Sequence, residues 1–143
     1  GVTLQQSHYS EPHVWNKEAP AVKKMMRTPN TYGYFTATYT PIKPLSIALS
    51  GTYTGSMLVP HEPVPGFLEN PITVNTKDFF DIGLKAAYDF KLYKSMNLQV
   101  NAGVQNIFNA YQNDFDKGAD RDSGYIYGPS LPRSFFAGVK ISY

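Results

Sequence analysis

Hydrophobic and polar residues alternate along much of the chain with a period of two. The clearest example is the segment 45–57, in which Leu45, Ile47 and Leu49 alternate with serine and alanine. A period of two is typical of a β-strand with one apolar face and one polar face. The pattern therefore predicts an all-β fold. Its six predicted strands cover residues 2–9, 31–40, 45–57, 78–90, 96–108 and 133–143.

The connections between the predicted strands alternate in length. Residues 41–44 and 91–96 are short connections. Three others are each about twenty residues long, which exceeds most loops of compact domains and usually indicates a functional loop. An antiparallel meander with short turns at one end and long loops at the other is the plan of an outer-membrane β-barrel. The long connections cover residues 10–30, 58–77 and 109–130.

Three features favour a membrane barrel over a soluble one. The polar face consists mainly of Ser, Thr, Asn, Gln and Gly, whereas the wet face of a soluble strand usually carries more charge. The predicted strands reach about nine to thirteen residues, which suits a tilted crossing of a bilayer. Aromatic residues also cluster at the strand ends, as in the girdles of membrane barrels. Those near the short turns are Tyr39, Tyr88, Phe90, Tyr93 and Tyr143, and those near the long loops are Tyr9, Phe79 and Phe80.

Composition narrows the possible function classes. Eleven tyrosines and nine phenylalanines suit a strand-rich fold, since aromatic residues favour strands. The chain has no cysteine, which excludes disulfides and thiolate metal sites. A formal net charge of +2 argues against a nucleic-acid-binding role. The sequence predicts no transmembrane helix, because it lacks an apolar run of about eighteen residues, and no signal peptide is recognisable.

Two stretches near the end of the chain, QNIFNAYQ (105–112) and LPRSFFAGVKISY (131–143), carry a specific resemblance. Together with the loop between them they resemble the C-terminal end of TonB-dependent outer-membrane receptors. The earlier stretches MMRTPNTYGYFTATYTP and GTYTGSMLVPH are similar to late strands of such receptors. The resemblance implies a transmembrane antiparallel β-barrel of about 22 strands, of which this chain supplies the last six. These six strands would be incomplete on their own, and the N-terminal plug domain of the family is absent.

The same resemblance implies a location and a function. The chain would lie in the bacterial outer membrane, in an active transporter that binds a scarce nutrient of the cobalamin, siderophore or haem class. TonB-coupled energy would drive import, and the chain would be neither an enzyme nor a cofactor carrier. The implied partners are the remainder of the receptor, the TonB complex through the missing N-terminal part, the barrel-assembly machinery, outer-membrane lipid and a surface lipoprotein, with no nucleic acid.

The final predicted strand also resembles the C-terminal signal that the barrel-assembly machinery reads. That signal consists of a glycine followed by hydrophobic or aromatic residues, and Gly138, Ile141 and Tyr143 match it. Phe136 departs from the pattern, because the position two before the glycine is usually polar. Physically, such a signal is an unpaired edge strand that is available to pair with another sheet.

Candidate ligand-binding residues lie in the predicted long loops. Exposed aromatic side chains there suit a flat or partly apolar cargo, although they could equally pack the loops against one another. A histidine in a long loop could contact haem or a metal complex, although an ordinary surface histidine is the favoured interpretation. The candidates are Trp15, Met57, His61, Phe67, Tyr125 and Tyr127.

The loop NDFDKGADRDSG (113–124) is a candidate calcium site, because closely spaced carboxylates can bind calcium. Its spacing departs from the EF-hand pattern, since Gly118 takes a ligand position and Ala119 takes the position of the turn glycine. Lys117 and Arg121 also offset half of the negative charge. An ordinary solvated loop is therefore favoured over a calcium site. The carboxylates concerned are Asp114, Asp116, Asp120 and Asp122.

Two alternative architectures remain open at this point. A small standalone eight-stranded outer-membrane barrel with a structural or adhesive role needs two further strands, for which ITVNT (72–76) and SGYIYG (123–128) are the only candidates. A soluble calycin-type ligand-binding barrel suits the length, but it usually carries a Gly-x-Trp near its start. Trp15 follows His13 and Val14 instead.

Overall fold

The computed structural model describes residues 1–93 and 95–143. Within these ranges the chain forms β-strands and no helix, so the predicted all-β class is confirmed. The described residues include no helix of the length and hydropathy needed to span a membrane. The strands are β1 (Val2–Leu4), β2 (His8–His13), β3 (Val22–Lys24), β4 (Thr31–Ile42), β5 (Leu45–Thr54), β6 (Leu58–His61), β7 (Ile72–Asn75), β8 (Phe79–Lys91), β9 (Asn97–Gln105) and β10 (Ser134–Ser142).

Six of these strands form one sheet in the order β1-β4-β5-β8-β9-β10. All neighbouring strands in the sheet run antiparallel, as predicted. Among the described residues the sheet is open, with β1 and β10 as its two edges. The remaining strands form two separate hairpins, β2–β3 and β6–β7, within the first and second long connections.

These hairpins change two of the sequence-based expectations. The predicted strand 2–9 is divided, because only Val2–Leu4 pairs with β4, whereas His8 already pairs with Lys24 in the first hairpin. The second long connection contains regular structure, since the stretch ITVNT provides β7. Because β7 pairs with β6 and not with the large sheet, it does not extend that sheet.

Two predicted strands end earlier than the alternation suggests. The segment 96–108 leaves the sheet after Gln105, because Asn106 and Asn109 both adopt the left-handed conformation, with φ of 49° and 50°. Asparagine tolerates this conformation better than most residues, so the chain turns here. The segment 45–57 likewise ends at Thr54, where the backbone N–H of Gly55 donates to the carbonyl of Thr31 and closes the ladder with β4.

The strand register places the apolar positions of the six strands on one face of the sheet. Residues directly opposite each other in antiparallel neighbours project from the same face. Two rows across this apolar face are Ala37, Leu49, Leu84, Val104 and Phe135, and Leu45, Tyr88, Val100 and Val139. The other face, here called the polar face, carries the alternate positions, such as Ser50 opposite Thr36 and Gly83.

No other element of the described chain covers the apolar face. Leu49, Leu84 and Val100 in its middle remain 36%, 40% and 41% exposed. A soluble sheet normally buries such a face against a second layer. The buried residues lie mainly at the end of the sheet where the long connections emerge, with Val59, Phe79, Tyr125 and Tyr127 as the central cluster.

Aromatic residues border the apolar face, although two of the expected members lie elsewhere. Tyr9 belongs to the separate β2–β3 hairpin, and Phe79 is buried in the central cluster. At the loop end of the face, Phe80 has its ring centroid 6.5 Å from those of both Phe35 and Tyr53. These three rings therefore form the aromatic border on the side of the long loops.

Candidate functional site in the long loops

The three long connections pack together into one unit, here called the loop cluster (residues 5–30, 55–78 and 106–133). Arg27 holds parts of all three. Its backbone N–H donates to the carbonyl of Leu58 at 2.7 Å. Its guanidinium donates to the carbonyls of Gly124 and Ile126. Arg27 itself adopts a left-handed conformation, with φ of 55°, which turns its side chain across the cluster.

Two tyrosines and one carboxylate form the polar centre of the loop cluster. The hydroxyl of Tyr127 donates to Oδ1 of Asp114 at 2.6 Å, and that of Tyr125 donates to Oδ2 at 2.9 Å. Burial raises the pKa of both tyrosines, and the bond to Asp114 raises it further, so that the pKa of Tyr125 reaches about 12. Burial also raises the pKa of Asp114, but hydrogen bonds from Tyr127, Tyr125 and Gln112 outweigh this effect and hold its pKa below the usual value.

A buried histidine joins the second and third connections. Nε2 of His61, the last residue of β6, lies 2.9 Å from Oδ2 of Asp116. The His61 ring stacks on Tyr125 with a centroid distance of 3.8 Å and an interplanar angle of 4°. Oδ2 of Asp116 also accepts from the backbone N–H of Asp122 at 3.1 Å. The β6–β7 hairpin is therefore attached to the third connection by stacking and by hydrogen bonds.

Buried amides fix the path of the third connection. Gln112 donates to the carbonyl of Tyr125 at 3.1 Å and accepts from the N–H of Tyr127 at 3.0 Å. Asn106 bonds both backbone groups of Ala110 and the carbonyl of Leu131. These amides lie in the stretch QNIFNAYQ, which carries the family resemblance, but the sequence did not predict that Asn106 and Gln112 fix the path of the chain. The only sequence signal for this role was the position of the asparagine and the glutamine on either side of a short apolar stretch.

The six candidate ligand-binding residues occupy three different environments. His61, Tyr125 and Tyr127 come together, but they are buried and bonded within the loop cluster. Met57 packs against the same cluster from the side. Phe67 and Trp15 are not part of this centre.

Phe67 and Trp15 differ from each other in exposure. Phe67 is 77% exposed in the turn of the β6–β7 hairpin. Trp15 is partly exposed, but its indole Nε1 is buried and has no hydrogen-bond partner within the described part of the chain. Of the six candidates, Phe67 therefore presents the most side-chain surface to a ligand outside the protein.

Three of the four candidate calcium ligands are engaged in other contacts, and the fourth, Asp120, is exposed. Asp114 accepts from the two tyrosines and Asp116 from His61, as described above. Asp122 accepts from the backbone N–H groups of Glu62 at 2.9 Å and Gly124 at 2.7 Å. Residues 1–93 and 95–143 contain no group of three or more His, Asp or Glu side chains arranged to hold a metal ion. The loop-bound calcium stays a prediction.

Two cavities flank the third connection. The first cavity has a volume of about 410 Å³ and lies between residues 111–116 and 121–132. The second, of about 400 Å³, lies between residues 64–67 and 114–117. Phe115 and Asp116 line both cavities. Three large hydrophobic side chains of the first cavity are well exposed and were not singled out from the sequence, namely Tyr111, Phe115 and Ile126.

The residues of the expected assembly signal lie in or directly after the edge strand β10. Gly138 is on the polar face, where its carbonyl accepts from Nδ2 of Asn101 at 3.2 Å. Ile141 is on the apolar face opposite Leu98, and Tyr143 is almost fully exposed. Comparisons with protein-family models, with curated proteins and with solved structures found no match to this chain. The functional argument therefore rests on the residues and their geometry.

Proposed function

We propose that this chain is part of the wall of a TonB-dependent transporter in the bacterial outer membrane. In this proposal it supplies the last six strands of the barrel and the loops above them, and it performs no chemistry of its own. The observation that carries the proposal is the continuous apolar face, which spans six strands and is covered by no element of the described chain. Exposure of such a face to water is unfavourable, whereas its exposure to the hydrocarbon of a lipid bilayer has no such cost.

The dimensions of the apolar face support this proposal. From Phe80 to Phe90, the aromatic residues near the two ends of β8, the strand advances about 34 Å at 3.4 Å per residue. At a strand tilt of about 40° this corresponds to about 26 Å along the membrane normal, close to the height of about 25 Å of the apolar band of known barrels. The rows between these rings consist mainly of Ala, Val, Leu and Ile.

The polar face supports the same arrangement. Its positions are mostly small or uncharged, as in Ser50, Thr52 and Asn101, with the charged residues Lys85 near its centre and Asp81 nearer the loop end. Such a surface suits the water-filled or protein-filled interior of a barrel. In the proposal it faces the plug domain of the transporter, which other parts of the receptor supply.

The loop cluster supports a role in recognition outside the cell. It lies at one end of the apolar face, is ordered by buried hydrogen bonds, and contains two cavities. We propose that the transporter takes up a scarce nutrient of the cobalamin, siderophore or haem class through energy supplied by the TonB complex. The resemblance of the QNIFNAYQ and LPRSFFAGVKISY stretches to receptors of this family is the support for that cargo class.

Two structural features weigh against the alternative architectures. The soluble calycin-type barrel requires Leu49, Leu84 and Val100 in a dry interior, whereas all three are more than one third exposed. The standalone eight-stranded barrel requires ITVNT in its wall, whereas this stretch pairs with β6 outside the six-stranded sheet.

Single-cysteine labelling tests the wall assignment, because the chain contains no cysteine of its own. Leu84→Cys and Lys85→Cys are adjacent in β8 and project from opposite faces. Nitroxide labels are attached to both variants of the full-length protein in phospholipid vesicles. We expect the label at 84 to collide with dissolved oxygen and not with a polar nickel chelate, and the label at 85 to show the reverse preference. A label at 84 that neither reagent reaches would overturn the proposal in favour of a dry protein core.

Uptake measurements test the transport role separately. Cells with the gene deleted, and cells lacking TonB, are given radiolabelled cobalamin, a ferric siderophore or haem. We expect both deletions to abolish uptake of one of the three compounds and the intact gene to restore it. If uptake of all three is unchanged by the gene deletion, the proposed cargo class is wrong, whatever the labelling result.

A further inference from the structure

The first cavity combines aromatic surface with polar groups of both signs. Tyr111 and Phe115 are 56% and 47% exposed and present ring surface to it. Arg121, Asp122 and Ser123 line the same cavity. A cavity of this composition offers a flat apolar contact and hydrogen bonds to a single ligand.

The polar groups of the first cavity retain unused hydrogen-bonding capacity. Arg121 has five N–H donors, and within the described chain one protein acceptor, the carbonyl of Gly118, is bonded to its Nη1. Each oxygen of Asp122 accepts one bond from a backbone N–H, whereas a carboxylate can accept about four. Both side chains can therefore bond a ligand while they keep their present partners.

The accessible charged groups of the first cavity have opposite signs. Asp116 also lines the cavity, but its side chain is only 4% exposed and is bonded to His61 and to the backbone N–H of Asp122, which leaves Arg121 and Asp122 as the charged groups that a ligand can reach. A ligand with a net charge would be attracted by one and repelled by the other. The cavity therefore favours a neutral ligand that has both hydrogen-bond donors and acceptors.

Hydrogen bonds within the protein fix the walls of the first cavity. The buried Gln112 fixes residues 125 and 127, and Arg27 fixes residues 124 and 126 from the opposite side. A preformed site loses little conformational entropy on binding. Its volume of about 410 Å³ also lies within the usual range of ligand pockets, about 300–1,000 Å³.

We propose that the first cavity binds a neutral saccharide, whose ring lies against Tyr111 or Phe115 and whose hydroxyls bond to Arg121 and Asp122. The C–H face of a sugar ring carries partial positive charge, which complements the negative face of an aromatic ring. A sugar hydroxyl both donates and accepts, so it can satisfy the guanidinium and the carboxylate together. A flat aromatic ligand without hydroxyls would displace water from the free donors of Arg121 and the free lone pairs of Asp122 without replacing those hydrogen bonds, which is costly.

This site goes beyond the proposed nutrient classes, and it rests on the proposed function only in placing the loop cluster outside the cell. The sugar could be a free oligosaccharide or part of the surface glycan of the cell itself, since the same contacts recognise both. The two sources are separate arms of the test.

The test is retention of the full-length protein, in lipid nanodiscs, on a printed array of neutral oligosaccharides and of uncharged outer-core oligosaccharides of lipopolysaccharide. We expect at least one glycan to retain the protein. Phe115→Ala and Arg121→Gln should each raise its dissociation constant about tenfold or more, the effect of losing about 1.4 kcal/mol. The matched controls Phe108→Ala and Arg133→Gln should leave it unchanged, because neither residue lines the cavity.

Three results would overturn the saccharide site: no retention by any glycan, equal retention of Phe115→Ala, or competition by benzyl alcohol as effective as that by the retained glycan. If Phe115→Ala fails to fold, Phe115→Leu removes the flat ring with less loss of volume and gives the same readout. Retention by free oligosaccharides identifies a nutrient, and retention restricted to core oligosaccharides identifies the cell surface. The glycan array measures binding by the loops, whereas the labels at 84 and 85 report on the barrel wall. The saccharide site can therefore be wrong while the wall assignment is right, and the wall assignment can be wrong while the saccharide site is right.

Discussion

At the scale of single residues, the most constrained groups are Tyr125, Tyr127 and Asp114. The two hydroxyls donate to the two oxygens of one carboxylate, and both rings are almost fully buried. A charged phenolate would therefore lie in an apolar environment beside a negative carboxylate. This arrangement stabilises the protonated tyrosines and the ionised aspartate together.

The loop cluster should consequently lose stability in alkaline solution. A tyrosine whose pKa is raised by folding contributes stability below its unfolded pKa of 10.0, and this contribution is lost as the pH rises through the folded value, about 12 for Tyr125. The pKa of Asp114 is lowered by folding. Asp114 therefore contributes stability above its unfolded pKa of 3.8, and this stability is lost as the pH falls through its folded pKa. Tyrosinate absorbance measured against pH should show two of the eleven tyrosines titrating later than the others.

Removing one hydroxyl provides the control for this titration. Tyr127→Phe should delete one of the late-titrating groups and leave the pKa of Tyr125 raised, because burial and the bond to Asp114 remain, whereas the hydrogen bond with Tyr127 lowers that pKa and is lost. Tyr39→Phe, which replaces an exposed tyrosine of the sheet, should leave both late groups in place. Titration of all eleven tyrosines in one step near pH 10 would contradict the hydrogen-bonded arrangement.

At the scale of elements, an aromatic ring of the edge strand β10 occupies the space above a glycine of the neighbouring strand β9. Phe136 lies opposite Gly103 of β9 on the polar face. A Cβ added to Gly103 would meet the ring of Phe136 at 2.4 Å, so the ring rests directly on the glycine. This contact explains an apolar residue at a position where an assembly signal usually has a polar one, because the ring covers the backbone of the neighbouring strand.

Phe136→Ala should therefore weaken the pairing of β10 with β9. Cross-strand aromatic contacts contribute up to about 1 kcal/mol, so hydrogen exchange of the β10 amides should accelerate by up to about fivefold. Lys140→Ala removes a long side chain from the same strand and the same face, and it should change the exchange rates little. Equal acceleration in the two variants would show that the ring has no special role.

At the scale of the whole molecule, the central property is the apolar face that spans the six-stranded sheet. A lysine near the middle of a bilayer destabilises a barrel by about 2–4 kcal/mol, whereas one near the interface costs about 0–1 kcal/mol. Leu84 lies near the middle of the face, and Leu98 lies opposite Phe90 near the short turns. Ser50 projects from the polar face.

Lysine substitutions should therefore show a dependence on depth and on face. We expect Leu84→Lys to lower the free energy of unfolding by about 2–4 kcal/mol and Leu98→Lys by about 0–1 kcal/mol. Ser50→Lys should cost little, because the polar face meets water or polar groups. Urea-induced unfolding of the full-length protein in phospholipid vesicles measures all three. Equal losses for Leu84→Lys and Leu98→Lys would contradict a bilayer around this face.

The alternating pattern was sufficient to predict the all-β class, the antiparallel order and the apolar face. Leu45, Ile47 and Leu49 must share a face in any strand, because successive side chains point to opposite sides of a strand. Strand ends were less predictable. Asn106 ends β9 inside a stretch that still reads as apolar, because its turn depends on a side-chain bond to Leu131, a residue far along the chain.

The candidate site was predictable only in part. The sequence pointed to the aromatic residues of the long loops, and the structure places Tyr125 and Tyr127 in the interior of the loop cluster. Exposure depends on which chains pack above a residue, and no local pattern encodes that. Phe115 and Arg121 line the first cavity because Arg27 and Gln112 hold distant backbone segments around them.

The sequence alone determined which side chains share a face, since strand geometry converts spacing directly into direction. Tertiary structure decided that this face has no covering layer in the described chain, that Asp114 accepts hydrogen bonds from two buried tyrosines, and that the third connection borders two cavities. These properties arise from contacts between residues far apart in the chain. Such contacts depend on the packing of the whole molecule, and the spacing of residues that are close in sequence does not predict them.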